Sequence, residues 1–261
     1  MPAYLSRVCI VTVSLNNRVH IDETIRSVLE QTYPAIEYVV VDGGSTDGTV
    51  EVIRSHASRL ATWISEPDGG IADAFNKGLR RVNGDYILFL NAGDRLATSD
   101  AVSEIMHAAR EANYPEIVFG DCDIVDGDSG RHLRRLSMKW CPLAFRFGRM
   151  INHPATFTHA SYFVRYGEFD TSFRIAMDFE LMARGILKSR VLHVHTVTTT
   201  MRSGGVSTRD REAVVKEIVR ALRKNSIVKT RAEELFLRGY FTARRVMRHP
   251  KHWLKMLLQR G

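Results

Sequence analysis

Carboxylates that close apolar, strand-like runs are the residues of this sequence best placed to do chemistry. Tyr86-Ile87-Leu88-Phe89-Leu90 runs directly into Asn91-Ala92-Gly93-Asp94. A carboxylate there can bind a hard divalent cation, with diphosphate oxygens filling other coordination positions. The same residue types also make ordinary turns. Tyr38-Val39-Val40-Val41 runs into Asp42-Gly43-Gly44-Ser45-Thr46-Asp47-Gly48. Glycines there let a ligand approach the backbone, and ionised Asp42, an acceptor only, suits the imide N–H of a base. Glu66-Pro67-Asp68-Gly69-Gly70 is a third acidic segment. No G-x-G-x-x-G follows the first strand and no G-x-x-x-x-G-K-[ST] occurs, so neither a dinucleotide fingerprint nor a Walker loop is present.

The elements that must hold these loops alternate. Val8 to Ser14 reads as a buried strand. Ile21, Ile25, Val28 and Leu29 then mark one face of a helix that Pro34 ends. Further strands are expected at 38–41, 61–65, 86–90 and 117–119, with helices over 49–56, 70–82 and 100–112. Such alternation predicts an α/β fold with a mainly parallel sheet covered by helices on both faces. Ligands of such sheets sit beyond the C-terminal strand ends, which selects the loops at 14–17, 42–47, 66–70 and 91–94. The second half is less regular. A strand or loop is expected at 131–139, a short helix at 142–150 and strand character at 158–166. A helix bearing Ala176, Phe179, Met182 and Ala183 follows, then a Val/Thr-rich strand at 191–201. His193 and His195 share one face of that strand, and one of them is a candidate to complete a metal shell.

Length and composition fit a globular domain with an extension. The 261 residues carry 44% hydrophobic and 25% charged residues. The net charge of +8 is uneven: residues 209–261 hold 15 Lys/Arg and 5 Asp/Glu, against 22 and 24 in the rest. Three cysteines without metal-type spacing read as buried free thiols at Cys9 and Cys122, in keeping with a reducing compartment. Neither a signal peptide nor a membrane-spanning stretch is expected, which places the chain in the cytoplasm.

Four ordered blocks carry a family resemblance. They are Thr12-Val13-Ser14-Leu15-Asn16, Val41 to Thr49, Glu66 to Gly78, and Gly84 to Asp94. In order and spacing they resemble the family 2 glycosyltransferases of GT-A fold, over about residues 7–207. The resemblance implies an inverting, metal-dependent transfer from a nucleotide sugar (UDP-, GDP- or dTDP-linked) to an acceptor hydroxyl. It implies that Thr12, Ser14, Asn16, Asp42, Gly43, Ser45, Asp68, Asp73, Asn76 and Asn91 line the donor site. Asp94 matches the last carboxylate of the family's D-x-D motif and would hold Mn2+ or Mg2+. Asn91 stands at the motif's first position, so this loop supplies one carboxylate. Ala176-Met177-Asp178-Phe179-Glu180-Leu181 resembles the acceptor-side motif, with Asp178 as catalytic base and Glu180 as its rival. Asn152-His153-Pro154 resembles a block before the base, so His153 would bind acceptor or position Asp178. Gly204, Gly205 and Ser207 match a late block that folds over the diphosphate.

The expected organisation is a glycosyltransferase domain over 1–208, with a nucleotide-binding half at 1–115 and an acceptor-side half at 116–208. A basic amphipathic tail over 209–261 follows. In that tail Leu235, Phe236, Tyr240, Phe241, Val246, Met247, Trp253, Leu254, Leu257 and Leu258 alternate with Arg and Lys. Such a stretch suits an anionic membrane surface, at the cytoplasmic face of the cell membrane, better than nucleic acid. A membrane-seeking tail in turn suits a lipid-linked glycan or glycolipid acceptor. The competing classes are a nucleotidyltransferase, which the glycine-free segment 14–18 disfavours, and a non-catalytic nucleotide-sugar binder.

Overall fold

A computed structural model describes residues 5–205 and 210–248, with side chains through Ala243. Four parallel strands form its first half: β1 (Val8–Ser14), β2 (Ile36–Asp42), β3 (Thr62–Ser65) and β4 (Tyr86–Asn91). All seven residues of β1 are buried, as expected for a strand covered on both faces. Helix α1 (Arg18–Leu29) buries Ile21, Ile25 and Val28, the stripe read from the sequence. Helices α2 (Thr49–Ser55) and α3 (Ile71–Leu79) make the next crossovers, and α4 (Ala101–Glu111) follows the short strand β5 (Arg95–Leu96).

The sheet has nine strands in the order β3-β2-β1-β4-β8-β6-β9-β5, with β7 (His132–Leu136) on β6 (Ile117–Val125). It is parallel across β3-β2-β1-β4 and mixed beyond. Strand β8 (Thr156–His159) runs antiparallel between β4 and β6, while β9 (Val191–Arg202) runs parallel to β6. This is a mixed α/β sheet of GT-A type, with antiparallel pairing concentrated in the second half.

The strand character expected at 158–166 holds only to His159. The chain then turns into α6 (Ala160–Tyr166), after the five-residue helix α5 (Pro142–Arg146). The His159 ring accepts the Ser161 backbone N–H at 3.2 Å and so starts the helix. Tyr162 and Phe163 bury there, and the Tyr162 hydroxyl donates to the Met182 carbonyl at 2.9 Å. Aromatic residues serve either element, and burial decided for the helix.

Helix α7 (Met177–Ala183) is almost wholly buried. Helix α8 (Arg211–Lys224) packs against it, and α9 (Arg231–Arg248) packs against α8. Ile218, Ala221, Leu222, Val228 and Leu237 share one core cluster with Phe145, Phe179 and Ile186. The first part of the basic segment is thus built into the acceptor-side half. Leu235 and Phe236 stay exposed on α9. Trp253, Leu254, Leu257 and Leu258, and the side chains of Val246 and Met247, lie outside the described residues. No helix among the described residues is long and apolar enough to cross a membrane.

Candidate active site

Parallel register brings the loops together. Ser14 lies beside Asp42, Asp42 beside Ser65, and Val13 beside Asn91, so β1, β2 and β3 end level and β4 ends one residue short of them. Beyond that edge the loops bind one another. The Gly43 N–H donates to the Ser14 carbonyl at 2.8 Å. Asn16, held at φ 48°, donates its N–H to Ser45 Oγ at 2.7 Å, and its side-chain oxygen accepts the Thr46 N–H at 2.9 Å. Ser14 is buried and its hydroxyl has no partner among the described residues. A polar group left open at a strand end is ready for a ligand.

Asp42 is fully buried and its carboxylate shapes its own loop. One oxygen accepts the Gly44 N–H at 3.0 Å, the Ser45 N–H at 2.8 Å and Ser65 Oγ at 2.7 Å; the other accepts Ser45 Oγ. Asp68 lies across the same loop and is only partly buried. A Cβ added at Gly43 would sit 2.3 Å from Asp68 Oδ2, so glycine there lets the carboxylate lie directly over the backbone. The other Asp68 oxygen accepts the Gly70 N–H at 2.8 Å. Asp73 supports the same turn by accepting the Gly69 N–H at 3.0 Å.

Two expected donor residues take other tasks. Thr12 is fully buried and its hydroxyl accepts the Tyr38 O–H at 3.0 Å, inside the core layer under α1. Asn76 is buried with both amide ends used: it donates to the Phe169 carbonyl and accepts the Phe169 N–H, each at 2.9 Å. An amide matches a backbone donor and acceptor at once, so Asn76 ties α3 to the segment before α7.

Asp94 is buried, and that environment pushes its carboxyl up to about 7. Desolvation is the main cause; the Arg202 backbone N–H at 3.2 Å, the Asn91 side chain and the Arg202 charge oppose it. The loop is pinned from below, where Thr24 Oγ1 donates to the Asp94 carbonyl at 2.7 Å. The buried Asn91 Oδ1 has no partner among the described residues. Asp94 and Asn91 thus offer a carboxylate and a free amide oxygen, a hard-oxygen set that suits Mn2+ or Mg2+. Arg202 was missed in the sequence. Its position just before Ser203-Gly204-Gly205 was the available signal. Gly204 follows at φ 96° and Gly205 is exposed, while Ser207 lies outside the described residues.

His193 and His195 do not join Asp94. Their ligand nitrogens cluster with Asp121, all within 4.8 Å. His195 stands seven residues before Arg202 on β9, on the order of 20 Å along an extended strand. Period-two spacing found the shared face but not its distance from the strand end.

Asp178 opens α7, accepting the Phe179 N–H at 2.7 Å. Its charge is felt at His153, whose ring lies 5.5 Å from Phe75 and 6.4 Å from Phe89 between centroids. Burial pulls the His153 pKa down and Asp178 pulls it up, with burial prevailing. Glu180 is fully buried on another face. Burial disfavours its charge, but hydrogen bonds from Arg184 and Lys224 outweigh that and lower its pKa. An ion-paired carboxylate under α8 has no free lone pair for an acceptor, so Glu180 is structural.

Glu217 of α8 was also missed. Its carboxylate accepts the N–H groups of Arg174, Ile175 and Ala176 at 2.8–2.9 Å, fixing the turn that delivers Asp178. Burial raises its pKa but the three backbone bonds win, so it is lowered overall. Glu217→Ala should therefore cost at least about 2 kcal/mol, the scale of one charged hydrogen bond, because solvent can replace part of this half-exposed network. Thermal denaturation would read that loss. Steady-state kinetics should show kcat falling with donor KM unchanged, as Asp178 drifts while the donor loops stay.

Comparison with known proteins decides the family. The model of glycosyl transferase family 2 matches residues 9–169. The chain belongs to that family. An uncharacterized glycosyltransferase of Mycobacterium tuberculosis is 32% identical over 218 residues, 82% of each chain. A PGL/p-HBAD biosynthesis glycosyltransferase of Mycobacterium bovis is 27% identical over 76% of this chain and 78% of its own. Among solved structures, Staphylococcus aureus TarS 1–349 in complex with UDP-GlcNAc superposes with a TM-score of 0.69 at 18% identity, covering 92% of this chain and 73% of that one. The mannosyltransferase PcManGT of Pyrobaculum calidifontis, in complex with GDP-Man and Mn2+, gives 0.63 at 21%, covering 88% and 66%. At those identities the likeness is one of fold. The family 2 match takes in all four strand-end loops and His153 but ends before Asp178.

Proposed function

We propose that this family 2 glycosyltransferase moves a sugar from a nucleoside diphosphate to an acceptor hydroxyl with inversion, using Asp178 as base. The observation that carries this is the meeting of two halves at one strand end. The His153 ring stacks 6.4 Å from Phe89, two residues before Asn91, and feels the charge of Asp178, which supports an acceptor-side carboxylate close to the strand end that leads into the donor loops.

Asp68 and the open Ser14 hydroxyl receive the nucleoside, within the turn that Asp42, Ser45 and Asn16 hold rigid. Gly43 keeps that wall thin enough for close approach. Gly204 and Gly205, beside Arg202, border the diphosphate. Asp94 and Asn91 would hold a divalent cation, which when bound would offset charge on the departing diphosphate. Asp178 takes the acceptor hydroxyl proton as its oxygen bonds to the anomeric carbon, and the bond from that carbon to the diphosphate oxygen breaks. Attack from the face opposite the leaving group gives inversion. His153, kept largely neutral by burial, orients Asp178 without neutralising it.

Membrane-linked acceptors suit the chain. The basic, apolar C-terminal segment suits an anionic cytoplasmic membrane face, and a mycobacterial relative is named a PGL/p-HBAD biosynthesis glycosyltransferase. The test is thermal shift with UDP-, GDP- and dTDP-sugars, with and without Mn2+. A ligand at 100 times its Kd stabilises by about 2.7 kcal/mol. One nucleotide series should raise Tm by several degrees, more so with Mn2+. No shift with any of them would overturn the donor assignment.

A further inference from the structure

We propose that Asp121, His193 and His195 form a second metal site, built for a transition-metal dication of the Zn2+ class and separate from the donor-site oxygens. The three side chains each bring one ligand atom to within 4.8 Å of the others. Around one ion with bonds of about 2.0–2.2 Å, tetrahedral ligand atoms lie roughly 3.3–3.5 Å apart, so small side-chain adjustments close the site. Two imidazole nitrogens and one carboxylate oxygen favour Zn2+, Co2+ or Ni2+ over the Mg2+ and Mn2+ that oxygen-only sites select.

The surroundings are those of a prepared site. Asp121 and His193 are both more than nine-tenths buried, at 8% and 6% side-chain exposure, with Nε2 and Oδ1 2.7 Å apart. The His193 ring is stacked on Phe119, 4.6 Å between centroids and 7° from parallel, which fixes its plane. Its Nδ1 is buried and has no partner among the described residues. No hydrogen bond on Nδ1 sets the tautomer, so the neutral ring can turn a lone pair to a cation between it and Asp121. His195 places its ring 4.2 Å from His193 and is exposed, so the site opens to solvent on that side. Water would fill the fourth position.

The site sits where the β6–β9 ladder is irregular. Register shifts fall on both sides of Asp121, between Phe119 and Asp121 and between Asp121 and Cys122. An ion bridging Asp121 to His193 and His195 would staple the two strands across that break.

The test uses the full chain, stripped with EDTA and then titrated with Co2+, followed by Zn2+. Expected is a visible ligand-field spectrum saturating at one equivalent, bleached by Zn2+. His195→Ala, an exposed substitution that should not disturb folding, should weaken that binding by at least about tenfold. Asp94→Asn should leave the spectrum unchanged. Absence of the spectrum at stoichiometric Co2+, or its persistence in His195→Ala, would overturn the proposal. So would its loss in Asp94→Asn alone, which would assign the ion to the donor site.

Discussion

Asp178→Asn should lower kcat by about 10²–10⁴-fold, the usual contribution of a positioned base, while donor binding survives. The substitution keeps the side chain's size and its bond to the Phe179 N–H, so α7 should still start at the same place. What goes is the ability to take a proton. Glu180, two residues on, cannot substitute, because Arg184 and Lys224 occupy its carboxylate and it has no exposed surface. His153 cannot replace it either, since burial already disfavours its protonated form. Radiolabelled transfer to membrane extract, alongside the thermal-shift panel, separates the two effects. Turnover near wild type in Asp178→Asn would remove Asp178 from the mechanism.

Asp94→Asn should have opposite effects on activity and on stability. Activity should fall by roughly 10²–10³-fold, the scale on which a lost electrostatic stabiliser of the leaving charge acts. The Mn2+-dependent part of the donor thermal shift should vanish. Stability without metal should change in the other direction at alkaline pH. The Asp94 carboxyl is pushed up to about 7 by burial, so the native state keeps a proton that the unfolded chain has already lost. Where the native state binds more protons, stability declines as pH rises. This group therefore favours folding least above pH 7, where its charge is buried. Asparagine carries no such charge, so the metal-free variant at pH 8 should match or exceed the wild type in Tm. Metal binding must expel the same proton, so Mn2+ affinity in the wild type should rise between pH 6 and pH 8. Calorimetry at both pH values, with and without Mn2+, checks both signs. A variant whose metal-free Tm drops at pH 8 would show that Asp94 is held as a structural anion instead.

Local pattern carried the first half of the fold. Strand β1, helix α1 and strands β2 and β4 appear where β-branched runs and i, i+4, i+7 spacing place them, because each packs against its immediate neighbours. Helix α6 was misread as a strand, since Tyr162 and Phe163 serve either element and only contact with α7 chose between them. The C-terminal segment was read as a surface-seeking tail from basic residues interleaved with apolar ones. Its first part reaches the core at Ile218, Leu222 and Leu237, while Leu235 and Phe236 stay exposed.

Function divides in the same way. The sequence by itself determined the four ordered loops, the single carboxylate of the loop ending in Asp94, and the candidate base at Asp178, because residue type and spacing are written in the chain. Only the tertiary structure decided which hydroxyls and carboxylates are free to act. Thr12 and Asn76 have the right chemistry but spend it on Tyr38 and Phe169, partners 26 and 93 residues away. Glu180 likewise spends its charge on Lys224, and His193 lies beside Asp121 rather than Asp94. A hydrogen-bonding group's availability depends on what lies within about 3 Å of it, and that is set by packing between distant segments.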